Sequence, residues 1–150
     1  MSGQSGNTLR PPPPRTTMLT SPSGSLCPYP YMGGELHPLK YGSYHRDKQA
    51  LLQMMNAEEQ FILTSSGEHN RRIWVDLYDT RLDKEAVACL AVHLFQIRPK
   101  TAKLCLVGCP ALTRWRITSA MRRTNSTWAD SVRFFTDPEQ AKMWLVGKAD

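Results

Sequence analysis

The chain has 150 residues, 41% of them hydrophobic, and a formal charge of +6; that length suits one domain with a tail and leaves little room for a second independent core. The charge divides into +2 over residues 1–45 and +4 over the rest. This mild basic excess favours anionic partners, but no groove-reading motif or aromatic stacking platform accompanies it, so sequence-specific nucleic-acid binding is not expected.

Eight of the eleven prolines precede residue 39 and all four tryptophans follow residue 73, which places the expected core in the C-terminal part. Residues 1–45 are rich in Pro, Gly, Ser and Thr. Such a composition buries too little apolar surface to offset the entropy of ordering, and it predicts a disordered tail with polyproline-II character. The four prolines at 11–14, flanked by Arg10 and Arg15, read either as a spacer or as a ligand for an aromatic-lined groove. Tyr29, Tyr31, Tyr41 and Tyr44 form an aromatic patch with the option of docking back on the domain. The N-terminus lacks the apolar stretch of about 7–15 residues typical of a secretory signal, and no apolar run reaches the roughly 18 residues of a membrane span. The expectation is a cytoplasmic protein that is not transmembrane.

Asp47 is placed to cap a helix over 47–63, with Leu51, Met54, Met55 and Ile62 near one face and a turn at Ser65, Ser66 and Gly67. Residues 61–64 also suit a short strand. The run from Ile73 to Tyr78 predicts a strand buried on both faces. Asp83 then precedes a helix in which Val87, Leu90, Ala91 and Leu94 recur at helical spacing, ending before Pro99. Leu104, Cys105, Leu106 and Val107 predict a second buried strand closed by Gly108. A third helix follows over 110–123, with Pro110 in its first turn. Val132 to Phe135 predict a third strand. Asp137, Pro138 and Gln140 then supply an N-cap, a first helical proline and capping-box spacing for a last helix.

Alternating short apolar strands and amphipathic helices predict an α/β fold: a small, mostly parallel sheet with helices packed on it, over residues 46–150. The segments RRIWVDLYDT (71–80), KLCLVGC (103–109) and VRFFTDPEQAKMWLV (132–146) resemble small STAS-like proteins, the fold shared by anti-sigma-factor antagonists and the cytosolic tails of sulphate transporters. The resemblance covers about residues 46–148. It implies a regulatory or binding module, since members bind partner proteins, nucleotides or lipids. In the antagonists a phosphorylatable Ser follows the strand-ending Asp; here the stretch is Asp79, Thr80, Arg81, Leu82, Asp83, and Thr80 is the sole hydroxyl.

In parallel α/β sheets ligands sit beyond the C-terminal strand ends, which brings Asp79, Thr80, Gly108, Cys109 and Thr136 into one candidate region for a small anion. The competing reading is that Asp79, Asp83 and Asp137 only cap turns and helices. Asp76 and Asp79 lie three apart and point to opposite faces of a strand, so they do not converge on a metal. Cys109 precedes a helix, the setting of an activated thiol, and with Asp79 or Thr80 it defines the thiol-enzyme alternative. A phosphatase loop, however, needs five residues between Cys and Arg, and Cys109 to Arg114 leaves four. The third helix has Arg114, Arg116, Arg122 and Arg123 and no acid between 110 and 124. Leu112, Trp115, Arg116, Ser119 and Arg123 share its outer face, while Thr113, Ile117, Ala120 and Met121 face the sheet. Exposed Trp beside Arg is hot-spot composition.

Cys27, Cys89, Cys105 and Cys109 show no zinc-type pairing and read as reduced thiols in a reducing compartment. His37, His45, His69 and His93 are scattered, without the spacing of a metal site. No glycine-rich phosphate loop is present. The expected function is a non-enzymatic module without cofactor or metal, binding a protein partner or a small anionic ligand or lipid through Asp79, Thr80, Gly108, Cys109, Trp115, Arg116, Arg122 and Arg123. A lipid or nucleotide carrier is the alternative.

Overall fold

The apolar run from Ile73 lies in the central strand of a five-stranded mixed sheet in the computed structural model, which describes residues 19–65 and 70–147. In chain order the elements are β1 (Leu19–Thr20), β2 (Leu26–Cys27), β3 (Tyr29–Tyr31), β4 (Gly34–Lys40), α1 (Lys48–Thr64), β5 (Arg71–Asp76) and α2 (Lys84–Gln96). A 3₁₀ turn (Arg98–Lys100), β6 (Thr101–Val107), α3 (Ala111–Thr124), α4 (Ser126–Ser131), β7 (Arg133–Phe135) and α5 (Pro138–Leu145) follow. The sheet order is β3-β4-β5-β6-β7, with β3 antiparallel to β4 and the other pairs parallel. β1 and β2 form a separate antiparallel ribbon.

Side chains alternate across each strand and so divide the core in two. Leu39, Ile73, Val75, Leu104 and Leu106 face α1, α2 and α3 in the larger core, joined by Leu51, Met55, Leu90, Leu94 and Ile117. On the opposite face Leu36, Cys105 and Val107 pack with Ala141, Trp144 and Leu145 of α5. Each fully buried Leu, Ile or Val contributes roughly 1.5–3 kcal/mol relative to exposure, which makes these two faces the main source of stability.

The expected tail through residue 45 is corrected by this arrangement. The proline run at 11–14, Arg10 and Arg15 lie outside the described residues, as do Ser66, Gly67 and His69. Residues 19–45, however, supply four strands, and the domain begins well before residue 46. Met32 and Gly33, both at positive φ, make the two-residue turn between β3 and β4. Pro30 lies on the edge strand, where a missing N–H costs no ladder bond. Pro38 lies within β4, but the Lys40 N–H points away from β5 to Ser23 Oγ and the Tyr41 N–H points to the Asp76 carbonyl. By alternation the Pro38 nitrogen faces the side where β3 has already ended. Tyr41 is fully buried and Tyr44 packs against the larger core.

The helix starts follow the sequence signals with two differences. Asp47 accepts the Ala50 amide and Asp83 the Ala86 amide, as capping requires. Pro110 is the N-cap of α3 rather than its first helical residue. Asp137 accepts the amide of Glu139, not that of Gln140. Residues 61–64 belong to α1. Between α3 and β7, where the sequence pattern assigns no element, Asn125 caps α4 by accepting the Trp128 amide at 2.9 Å.

Candidate functional site

The C-terminal rim of the sheet brings Asp79, Thr80, Gly108, Cys109 and Thr136 to one end of the strands, as expected, but the bonds of Asp79, Thr80 and Thr136 are taken up by His45 and the tyrosines around them. Asp79 takes φ +55°, and its carbonyl accepts the His45 amide at 2.8 Å. The Thr80 hydroxyl donates to the Tyr41 carbonyl at 2.6 Å and accepts the Tyr44 amide at 3.1 Å. Gly108 has φ +86°, and a Cβ there would lie 2.7 Å from the Tyr78 nitrogen. The Tyr78 hydroxyl donates to the Thr136 carbonyl at 2.7 Å, tying the end of β5 to the end of β7. Asp76 Oδ1 accepts the Tyr78 amide, so it serves the turn.

Topology gives the reason for this closure. Strands β4 to β7 follow one another in sequence order, so the sheet has no reversal point of the kind that opens a ligand crevice in doubly wound folds. Among the described residues the rim is a hydrogen-bonded seam. Cys109 is half-buried there. Burial pushes its thiol up to about 12, while Arg114 pulls weakly the other way; such a thiol is a poor nucleophile at neutral pH.

The outer face of α3 is different. Ile117, Ala120 and Met121 are buried against the larger core, whereas Leu112 is 58% exposed and Trp115 66% exposed. Arg116, Arg122 and Arg123 are exposed beside them. Arg122 is held by Asp130 at 2.5 Å, and the Arg114 guanidinium lies 5.5 Å above the Phe134 ring. Arg116 and Arg123 meet no carboxylate among the described residues. The outer helix face expected from the residue spacing is therefore exposed.

Sequence reasoning passed over two cavities. One, of about 350 Å³, lies between the β1–β2 turn and the sheet, lined by Tyr29, Leu36, Pro38, Lys40, Trp74 and Lys142. Lys142 Nζ stands 5.3 Å from the ring centres of both Tyr31 and Trp74 and also pairs with Glu139. The other, of about 410 Å³, is an open groove between α1 and α2 around Leu52, Met55, Glu59, Val92 and His93. No local signal points to the first, because most of its walls come from a segment whose composition reads as a tail, with Trp74 and Lys142 closing it from β5 and α5. Among the described residues no His, Cys, Asp and Glu side chains form a group able to hold a metal ion, and no helix is long and apolar enough to cross a membrane.

No relative places this chain. No family model, curated protein or solved structure matches it.

Proposed function

We propose that the chain is a non-enzymatic, STAS-like binding or regulatory module of the cytoplasm that docks an acidic protein partner on the outer face of α3. The observation that carries this reading is the 66% exposure of Trp115 on a helix that has no acid between residues 110 and 124. A large aromatic left in water beside Leu112 has an apolar area to bury, and Arg116 and Arg123 add long-range attraction for carboxylates around it. The partner's chemistry follows: an apolar pocket rimmed with Asp and Glu.

A photo-crosslinking side chain at position 115, compared with one at Val92 on α2, tests this. Crosslinks to an acidic protein from position 115, lost with Arg116→Glu and weakened by salt, are the expected outcome. Equal yields from both positions, or a Trp115→Ala variant that captures the same partner, overturn it. A product containing two copies of this chain overturns the acidic-partner assignment in favour of self-association.

The cavity near Trp74 favours a second reading, a carrier of a small anionic ligand. Its volume falls at the lower end of small-molecule sites, and Lys40 and Lys142 beside aromatic walls suit an anion with a flat ring, as in a nucleotide. A native mass spectrum without a co-purified small molecule removes this reading.

A further inference from the structure

Cys27, read from the sequence as a tail thiol, is the residue around which the most polar part of the interior is built. It ends β2, is 4% exposed, and faces His37 of β4, 1% exposed, and Glu58 of α1, 0% exposed. Cys27 Sγ stands 3.4 Å from His37 Nδ1, and His37 Nε2 stands 3.2 Å from Glu58 Oε1. The second Glu58 oxygen accepts the Ser23 amide at 2.9 Å and, in a very short contact, the Ser23 hydroxyl. Arg71 of β5 donates through Nη1 to Cys27 Sγ at 3.1 Å and lies 3.2 Å from His37 Nδ1, while its Nη2 donates to Ser65 Oγ. Phe61 walls the cluster, edge-on to the His37 ring at 5.8 Å.

A thiol packed as a small hydrophobe needs none of this. Enclosing a carboxylate, an imidazole and a guanidinium costs several kcal/mol per ion unless each is paired, yet all three converge on one sulfur and its base. The order along the line is nucleophile, base and orienting acid. Glu58 holds a proton on Nε2, which leaves the Nδ1 lone pair facing the thiol and Arg71 Nη1 together, and Arg71 offers a positive donor to the sulfur as well. Cys27 and Glu58 sit on opposite nitrogens of the ring, so the three ligand-type residues do not converge on a metal. Burial pulls the His37 pKa down, but hydrogen bonds with Cys27 and Glu58 leave it raised overall. Glu58, pushed up by burial, ends lowered through its bonds from His37 and Ser23. Cys105 and Cys109 have no comparable surroundings, and burial raises both.

We propose that Cys27 is a peroxide-reactive thiol, with His37 as its base, Glu58 and Arg71 as positioning residues, and hydrogen peroxide as its oxidant. The size limit follows from burial: at 4% exposure Cys27 is closed to peptide-sized electrophiles, so its oxidant must be as small as hydrogen peroxide. The thiol proton passes to His37. Sulfur attacks one peroxide oxygen, the S–O bond forms and the O–O bond breaks. The departing hydroxide takes the proton from His37 and leaves as water. Sulfur loses two electrons, the peroxide gains them, and Cys27 becomes a sulfenic acid.

The test is oxidation of the reduced full chain by stoichiometric hydrogen peroxide, stopped at intervals by catalase and then unfolded in urea with a cyclic 1,3-diketone, which traps the sulfenic acid already formed, and peptide mass mapping locates it. The expected result is labelling at Cys27 at least about tenfold faster than at Cys89, Cys105 or Cys109, a ratio within what a positioned base supplies. Unfolding the same protein in urea should bring the four rates together, which tests the arrangement without any substitution. His37→Gln and Glu58→Gln should each slow Cys27 about tenfold in chains that retain the native circular dichroism. Equal rates for the four cysteines in the folded chain, or a Cys27 rate that urea does not lower, overturn the proposal.

Discussion

The Tyr41 hydroxyl donates to His93 Nε2 across 2.7 Å inside the larger core, and the other ring nitrogen of His93 meets Glu59 Oε1 at 3.0 Å. Burial holds the His93 pKa below its ordinary value, against the opposing pull of Glu59, so the folded state keeps this ring neutral where the unfolded chain would protonate it. The resulting stability is present above about pH 6.5, the unfolded value, and is lost as pH falls through the lower folded value. His37 is shifted up and has the opposite sign: its contribution is complete below about pH 6.5 and is lost as pH rises through its folded value. The window just below pH 6.5 therefore belongs to His93. Urea midpoints measured across it should fall in the wild type and fall less in His93→Gln.

Tyr41→Phe leaves His93 Nε2 buried without its donor and should cost about 1–3 kcal/mol, read from urea unfolding at neutral pH. Tyr41 is fully buried, so exposed partners offer no substitute.

Gly108→Ala and Gly24→Ala separate two penalties that usually travel together. Both glycines have positive φ, but a Cβ at Gly24 meets nothing within 4 Å, whereas one at Gly108 comes within 2.7 Å of the Tyr78 backbone. Gly24→Ala should cost about 1 kcal/mol of backbone strain. Gly108→Ala should cost clearly more, about 3 kcal/mol, with the melting temperature as the readout.

Thr80→Val should destabilise by about 1–3 kcal/mol, because the Tyr41 carbonyl and Tyr44 amide both lose the hydroxyl they share. Thr80→Ser keeps that hydroxyl and should recover most of the loss. Equal stability of Thr80→Val and wild type in urea would show that solvent replaces the seam.

Cys109, with its thiol pushed up to about 12 by burial, should label slowly with iodoacetamide at pH 7 and accelerate with pH until the protein unfolds. Cys109→Ala should retain any partner bound through α3.

The helices were legible because each carries its own start signal and stripe: Asp47, Asp83 and Asp137 cap through their own side chains, and Val87, Leu90, Ala91 and Leu94 are all buried at the spacing that announced them. The exposed face of α3 was legible for the same reason, since at about 100° per residue Ile117 and Met121 fall roughly half a turn around the helix from Trp115. The β1–β4 region was not. Composition counts prolines without their hydrogen-bonding direction, and Pro30 and Pro38 are tolerated only because of where their nitrogens point.

Local pattern thus determined the α/β class, the parallel strands β5 to β7, helices α2 and α3 between them and the amphipathic faces, because periodicity and capping act within a few residues. Tertiary structure alone decided that the strand ends close over Thr80 and Gly108, and that Cys27, His37, Glu58 and Arg71 meet. Those four residues come from β2, β4, α1 and β5, and their chemistry depends on distances of about 3 Å set by packing between elements far apart in the chain.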